Sequence, residues 1–215
     1  MLKRTRIKIC GITRPEDLRA AVDLGADALG FVFYPPSSRY LDIALAAALV
    51  RAVPPFVTTL GLFVNEEPAT VRRVLEAVPL QQLQFHGEED AAYCRQFGRP
   101  YVKAARVRPG LDLVEYAASF PEACGLLLDA YVDSYGGGGK TFDWGLIPPD
   151  LPLPLVLSGG LDAGNVAAAI HSVRPWAVDV SSGVELAGTT RGIKDAAKIA
   201  AFITGVRNAD ASGKL

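Results

Sequence analysis

Side chains that can move protons stand at the ends of several short apolar runs in this chain. Cys10 ends one such run, His86 follows another, and Asp129 comes directly after three leucines. A thiolate can remove a carbon-bound proton, and a carboxylic acid or an imidazole can donate or accept one. These residue types therefore indicate acid–base chemistry, if the fold brings them to one place.

Each of these residues has two interpretations when it is taken alone. Cys10 is either an inert buried apolar residue or a base whose pKa is lowered by N–H groups near Gly11. Asp129 either caps a loop or is kept protonated by burial, so that it donates a proton near neutral pH. His86 is either a hydrogen-bonded strand-end residue or part of a site. Cys94, within a predicted helix, and Cys124, before a strand, are interpreted as structural.

Two clusters of small residues follow the last two apolar runs of the chain. They are Ser158-Gly159-Gly160 and Ser181-Ser182-Gly183, with Asp179 just ahead of the second. Two tight turns would explain them, but their backbone N–H groups could also bind a phosphate, which we favour. Arg39 is either a solvated charge or a clamp for a carboxylate or phosphate.

A run of four glycines precedes Lys140 and Thr141 and invites comparison with a nucleotide-binding P-loop. That motif requires a glycine five positions before Gly139, where this chain has Ser134. The run Gly136–Gly139 is instead predicted to be the hinge of a lid over a ligand.

The elements that must position these residues follow an eightfold alternation of apolar run, turn and amphipathic segment. Predicted strands cover Ile7–Ile12, Ala28–Phe33, Phe56–Val64, Gln81–His86, Tyr101–Val107, Gly125–Ala130, Pro154–Ser158 and Ala177–Ser181. Predicted helices cover Pro15–Leu24, Ile43–Ala52, Pro68–Val78, Glu88–Phe97, Leu111–Phe120, Asp143–Ile147, Asn165–Ser172 and Asp195–Thr204. Strands that alternate with helices pair in parallel through right-handed crossovers.

This alternation predicts a single-domain (β/α)8 TIM barrel of the phosphate-binding type over residues 1–207, with a flexible tail over 208–215. The alternative is a doubly wound open sheet, whose first turn is usually glycine-rich, whereas Gly11 stands alone here. In a barrel, the carboxyl ends of the strands surround the active site, which is where the reactive residues fall.

Local signals place several helix ends. Thr13-Arg14-Pro15-Glu16 predicts a capping box with proline in the first turn, and Asn65 is a candidate cap for a later helix. Gly25 is predicted to end the first helix.

Composition excludes several classes of protein. The 215 residues hold 22 Lys and Arg against 23 Asp and Glu, and this balance argues against a nucleic-acid-binding protein. Three distant cysteines and two histidines offer neither a disulfide framework nor ligand spacing for a metal. The longest apolar run, Ile43 to Val50, is too short to span a membrane. We expect a cytoplasmic protein without metal or cofactor, acting on a small molecule as a monomer or homodimer.

The sequence strings around these residues resemble those of the phosphoribosylanthranilate isomerase family of tryptophan biosynthesis. The most specific strings are Lys8-Ile9-Cys10-Gly11-Ile12-Thr13 and Val178-Asp179-Val180-Ser181-Ser182-Gly183-Val184-Glu185. Further matches in chain order are Gly30–Phe33, Ser38–Tyr40, Gly61–Asn65, Gln84–Glu88, Leu128-Asp129, Gly136–Trp144, Leu157–Leu161 and Asn165-Val166. The resemblance runs from about residue 7 to 203, and Phe85 stands where the family more often has leucine.

The resemblance implies an Amadori rearrangement of N-(5-phosphoribosyl)anthranilate to 1-(2-carboxyphenylamino)-1-deoxyribulose 5-phosphate without a cofactor. By this likeness Asp129 is the general acid and Cys10 the base. Arg39 would hold the anthranilate carboxylate, and His86 and Asp179 would contact the substrate. The phosphate would be bound by Gly159, Gly160, Ser181, Ser182 and Gly183.

Two rival functions remain at this stage. A related barrel isomerase of histidine biosynthesis usually pairs two aspartates and has two similar halves, each with a phosphate loop. Here Cys10 stands in place of the first acid, and the third and fourth loops lack a Ser-Gly-Gly cluster. A non-catalytic phosphosugar-binding barrel would keep both glycine clusters but would not need Cys10 and Asp129.

Overall fold

A computed structural model describes residues 4–131, 141–188 and 192–212 as a closed barrel of eight parallel strands, β1 to β8 in chain order. The strands run over Arg6–Cys10 (β1), Ala28–Val32 (β2), Thr58–Phe63 (β3), Gln82–Phe85 (β4), Tyr101–Val107 (β5), Gly125–Ala130 (β6), Leu155–Leu157 (β7) and Ala177–Val180 (β8). The predicted (β/α)8 barrel is confirmed. The predicted lid hinge, Gly136–Gly139, lies outside the described residues.

Helices cover the outside of the barrel. They are Pro15–Leu24 (α1), Ile43–Arg51 (α2), Pro68–Ala77 (α3), Ala91–Arg95 (α4), Leu113–Ala118 (α5), Val166–Val173 (α6) and Ala196–Ser212 (α7). Between β6 and β7, the described chain forms only a 3-10 turn, Trp144–Leu146, and a second such turn, Ser182–Val184, follows β8. The first turn ends just before Pro148-Pro149, which cannot continue a helical hydrogen-bond ladder.

The side chains of each strand alternate between two environments. Ile7 and Ile9 of β1 belong to the main apolar core between barrel and helices. Lys8 and Cys10 alternate with them and therefore face the barrel interior, where Lys8 lines a cavity at the amino-terminal end. The interior thus carries polar groups as well as a small apolar cluster of Val102, Ala104 and Leu127.

Helix α1 begins and ends where the sequence predicts, but without the predicted capping box. Pro15 is its first residue, and Gly25 ends it with φ of 99°. The residue at the cap position is Arg14, whose side chain makes no cap hydrogen bond. Thr13 lies one residue too early and donates its hydroxyl proton to the carbonyl oxygen of Gly192 at 3.0 Å.

Asn65 is likewise not a helix cap, because α3 begins later, after Glu67. Asn65 has φ of 49°, and its Oδ1 accepts a hydrogen bond from the Glu88 backbone at 2.6 Å. The residue therefore connects the loops that follow β3 and β4.

The predicted tail over 208–215 is corrected for its described part, since α7 continues as regular helix to Ser212. Asp210 accepts hydrogen bonds from the backbone and the hydroxyl of Thr5, at 2.9 and 2.7 Å. Ala209 is buried, and His171 of α6 contacts its carbonyl oxygen at 3.3 Å. The end that polar residues suggested was frayed is instead attached to Thr5, just ahead of β1, and to α6. In the described part of the chain, no helix is long and apolar enough to cross a membrane.

Candidate active site

The predicted reactive residues gather at the carboxyl ends of the strands. Cys10 is the last residue of β1, Asp129 the penultimate residue of β6, and His86 directly follows β4. Around the closed barrel β7 and β8 lie between the strands of Asp129 and Cys10. The two residues therefore stand on opposite sides of one mouth rather than side by side.

Asp129 and His86 contact each other directly. Asp129 Oδ2 lies 3.2 Å from His86 Nε2, and Asp129 Oδ1 accepts the Ala130 N–H at 2.8 Å. Gln84 donates from Nε2 to His86 Nδ1 at 2.9 Å, which leaves the ring proton of a neutral imidazole on Nε2, facing Asp129. With its side chain only 20% exposed, Asp129 is held in one orientation yet remains accessible from the mouth.

Cys10 is almost fully buried, with 6% of its surface exposed. A Cβ added at Gly30 on the neighbouring strand would lie 2.7 Å from Cys10 Sγ, so the glycine makes room for the sulfur. Burial raises the pKa of the Cys10 thiol, while the ammonium groups of Lys8 and Lys194 oppose that rise. The expectation that N–H groups lower this pKa is therefore not met.

Arg39 is buried and paired, unlike a solvated surface charge. Its Nε donates to Glu185 Oε1 at 2.6 Å and its Nη2 to Oε2 at 3.1 Å. Lys194 Nζ lies 3.2 Å from the same Oε1. Burial by itself would raise the pKa of Glu185, but Arg39 and Lys194 together lower it. The guanidinium is thus fixed at the mouth through two of its nitrogens, and a carboxylate clamp would use the third, Nη1.

The two glycine clusters contact each other at the mouth. Gly159 and Gly160 have φ of 85° and 62°, a region that favours glycine. A Cβ at Gly159 would lie 3.0 Å from Asp129 Oδ1, and a Cβ at Gly183 would overlap the carbonyl oxygen of Leu161. The loops after β7 and β8 therefore pack without intervening side chains, next to Asp129.

Several N–H groups of these loops are available to an anion. Those of Gly160, Ser182 and Gly183 donate to no acceptor among the described residues. The Ser181 hydroxyl, by contrast, donates to the Cys10 carbonyl oxygen at 3.0 Å and lies 3.3 Å from Lys194 Nζ. Ser181 therefore supports the loop with its side chain.

Six buried polar residues at or next to the site were missed as functional candidates, although Lys8, Gln84 and Glu185 stand within the recognised strings. They are Lys8, Gln84, Glu89, Lys103, Glu185 and Lys194. Lys103 Nζ lies 3.1 Å from Glu89 Oε2 and donates to the Gly87 carbonyl oxygen at 2.6 Å, which fixes the turn after His86. A charged side chain inside an otherwise apolar strand was the sequence signal that could have identified Lys8 and Lys103.

Open space lies beside the chain segments that follow His86 and Asp129. A mainly polar cleft of about 340 Å³ is lined by residues that include Gly87, Arg106, Arg108 and Tyr131. Arg106 is directly opposite Asp129 in the register of β5 and β6. Across residues 4–131, 141–188 and 192–212, no three His, Cys, Asp or Glu residues are grouped to hold a metal ion.

Comparison with known proteins places this chain in a family. The family model described as N-(5'phosphoribosyl)anthranilate (PRA) isomerase matches residues 7–205. The chain belongs to this isomerase family. The N-(5'-phosphoribosyl)anthranilate isomerase of Dechloromonas aromatica is 66% identical over 209 residues, covering 97% of this chain and 99% of the relative.

Solved structures of phosphoribosylanthranilate isomerases have the same architecture. One, in complex with reduced 1-(o-carboxyphenylamino)-1-deoxyribulose 5-phosphate, has a TM-score of 0.83 and 43% identity, covering 95% of this chain and 99% of that one. Another contains monomers generated from the dimeric isomerase of Thermotoga maritima, with a TM-score of 0.82, 42% identity and coverage of 94% and 98%. Membership in the phosphoribosylanthranilate isomerase family confirms the resemblance found in the sequence strings.

Proposed function

We propose that this protein isomerises N-(5-phosphoribosyl)anthranilate to 1-(2-carboxyphenylamino)-1-deoxyribulose 5-phosphate, the third step of tryptophan synthesis from chorismate. The observation that carries the proposal is the order of groups around the mouth. Asp129 on β6 and Cys10 on β1 flank the two glycine loops that follow β7 and β8. A substrate held by its phosphate at these loops would have an acid on one side and a base on the other.

Asp129 is the general acid in this proposal. Its carboxyl group protonates the furanose ring oxygen, the bond between that oxygen and C1′ breaks, and the nitrogen lone pair forms an iminium. The proton therefore ends on the C4′ hydroxyl, and Asp129 becomes a carboxylate. His86, with Nε2 at 3.2 Å from Asp129 Oδ2, stabilises that carboxylate.

Cys10 then acts as the base. Its thiolate removes the proton from C2′, whose acidity the adjacent iminium has increased, and the C–H electron pair forms an enolamine. The enolamine gains a proton at C1′ and releases the proton of the C2′ hydroxyl, which gives the ketone. The Cys10 thiol then loses a proton to solvent and the Asp129 carboxylate takes one up, so that both residues return to their starting states. Because the cationic iminium forms next to Cys10, it favours the thiolate that burial alone disfavours.

The remaining predicted roles concern binding. Arg39 holds the anthranilate carboxylate through the nitrogen that Glu185 does not use, and Asp179 orients the substrate amine or ring. Backbone N–H groups of Gly159, Gly160, Ser182 and Gly183, with Ser181 supporting the loop, bind the phosphate. Every step uses side chains of the protein, so we expect turnover without a metal or cofactor in the cytoplasm.

A turnover assay tests this function. Loss of substrate fluorescence is followed with freshly prepared phosphoribosylanthranilate in the presence of EDTA, and rapid loss is expected. Cys10→Ala and Asp129→Asn should each reduce kcat about 10³-fold or more with the fold intact. Cys124→Ser and Asp143→Asn, at exposed positions, serve as matched controls and should turn over normally.

Near-normal turnover by either site variant would refute its assigned role. A folded wild-type protein without activity would refute the isomerase proposal, and the histidine-pathway ribonucleotide would then be the next substrate tested.

We also propose that the protein is a homodimer joined through the amino-terminal faces of its barrels. Phe56, in the loop before β3, is 100% exposed, follows Pro54-Pro55 and has φ of 71°. The same face holds a cavity of about 250 Å³ lined mainly by apolar groups, among them Ala28, Leu127 and Val156. A two-fold axis would let Phe56 of each copy enter the cavity of the other. The dimeric state of the isomerase from Thermotoga maritima supports a dimer, while the choice of face rests on Phe56 and the cavity.

A further inference from the structure

Lys8 is a buried lysine inside the barrel, directly below the mouth. It stands opposite Asp179 in the register of β1 and β8, and its Nζ lies 3.0 Å from Asp179 Oδ1. Both side chains are 6% exposed. Within the described residues, Lys8 Nζ has no partner of full hydrogen-bond geometry, so the contact with Asp179 is an ion pair that leaves its protons available.

Lys8 and Cys10 occupy the same face of β1, because residues two apart on a strand point to the same side. The two side chains are therefore neighbours inside the barrel, and the ammonium group of Lys8 lowers the pKa of the Cys10 thiol against the rise that burial causes. A buried thiolate has lost most of its hydration, so a fixed cation beside it replaces the stabilisation that water would provide.

The other charges around Cys10 come from three further segments. They are Asp179 on β8, Arg39 in the loop after β2, and Glu185 and Lys194 in the segment after β8. Glu185 accepts from both Arg39 and Lys194, while Asp179 is paired with Lys8. Three cations therefore face two carboxylates, and a single thiolate at Cys10 would neutralise the group.

We propose that Lys8 is a positioning residue, whose ammonium group, anchored by Asp179, stabilises the negative charge that Cys10 carries as the base. This inference rests on the proposed function, since it assumes that Cys10 removes the C2′ proton. The positive charge of Lys8 thereby stabilises the Cys10 thiolate before the substrate iminium forms. Lysine suits this position because its compact ammonium can contact a carboxylate and a sulfur together.

The test measures the charge state of Cys10 separately from turnover. The rate at which iodoacetamide alkylates Cys10 is followed against pH by mass spectrometry of its peptide, in wild type, Lys8→Met and Lys8→Arg. Lys8→Met should move the midpoint of this profile upward by about 1–3 pH units, the shift typical of losing a nearby opposite charge. kcat/KM at pH 7 should fall about tenfold or more, and part of the loss should be recovered at pH 9.5. Lys8→Arg should retain most of the wild-type midpoint.

A matched control is available in Lys103→Met. Lys103 is also buried and paired with a carboxylate, Glu89, but it lies on the outer side of β5. This variant should leave the Cys10 profile unchanged, which separates the proposed effect from the general cost of removing a buried lysine.

An unchanged alkylation profile in Lys8→Met would overturn the proposal, whatever happens to turnover. Should Lys8→Met fail to fold, Lys8→Met/Asp179→Asn removes the unpaired buried carboxylate and is compared with Asp179→Asn, because Asp179 itself raises the pKa of Cys10. The Cys10 midpoint of the double variant should lie above that of Asp179→Asn, and equal midpoints would equally overturn the proposal. Failure of the proposed function would give a different pair of results. Cys10→Ala would keep its activity, while in protein that retains Cys10 the alkylation profile would still shift on Lys8→Met.

Discussion

The side chains at the mouth are each held by a partner that neutralises or orients them. His86 orients Asp129, Asp179 pairs with Lys8, and Glu185 holds Arg39. Buried charges are tolerated only when they are paired, because burial removes their hydration. The cost of removing one partner should therefore be visible as a loss of stability.

Glu185→Gln should lower the free energy of unfolding at pH 7 by about 3 kcal/mol, the order expected when a buried pair loses one member. Arg39 and Lys194 lower the pKa of Glu185 below its ordinary 4.5, although burial acts the other way. Because the pKa of Glu185 is lower in the folded state, its ionised carboxylate contributes its full stabilisation above pH 4.5. This contribution disappears as the pH falls through the lowered pKa. The wild type should thus lose more stability than Glu185→Gln between pH 7 and pH 3.

Urea unfolding at a series of pH values measures this difference. Glu122→Gln, which breaks the exposed pair with Arg95 at 3.4 Å, should change the stability by no more than about 0.5 kcal/mol. Parallel pH curves for wild type and Glu185→Gln would contradict the interpretation.

At the scale of elements, local signals predicted where helices and strands occur better than where they end. The fourth helix was predicted over Glu88–Phe97 but is Ala91–Arg95, capped by Asp90, whose side chain accepts the Tyr93 N–H at 2.7 Å. Glu89 lies just ahead of the helix, where its side chain accepts hydrogen bonds from the Asn65 and Gly87 backbones and pairs with Lys103. Asn65 and Lys103 belong to other elements and are invisible in a local window.

The carboxyl end of α7 provides an element-scale prediction. Truncation after Arg207 removes Asp210, and with it two hydrogen bonds to Thr5, as well as the buried Ala209. Hydrogen bonds to a charged group contribute about 1.5–3 kcal/mol each, so we expect a loss of several kcal/mol and a clearly lower Tm. Truncation after Ser212 should leave the Tm unchanged. Equal Tm values for the two truncations would show that the end of α7 does not stabilise the barrel.

For the whole molecule, the two ends of the barrel have separate proposed tasks. The residues proposed for catalysis lie at the carboxyl end, whereas the exposed Phe56 and the mainly apolar cavity lie at the amino end. A change at one end should therefore alter assembly without altering the chemistry at the other.

Phe56→Glu should convert the proposed dimer to a monomer, because a charged side chain cannot enter an apolar cavity without a large desolvation cost. Sedimentation velocity measures the mass, and kcat should remain close to that of the wild type. Val114→Glu, at another exposed apolar position on α5, should remain dimeric. A wild type that sediments as a monomer would refute the proposed interface.

The sequence by itself determined the alternation of strands and helices, and with it the barrel and the end at which Cys10, His86 and Asp129 meet. Those features follow from local periodicity, since side-chain spacing distinguishes strands from helices and parallel strands align their carboxyl ends. The resemblance of its strings also identified the family.

Only the tertiary structure decided which charges neutralise one another. Arg39 and Glu185 are 146 residues apart, and Thr5 and Asp210 are 205 apart. Closing the barrel brings β1 against β8, which places Lys8 beside Asp179 and Ser181 beside Cys10. The pairing of distant buried charges depends on the three-dimensional packing of the whole chain, so no local pattern of residues could have revealed it.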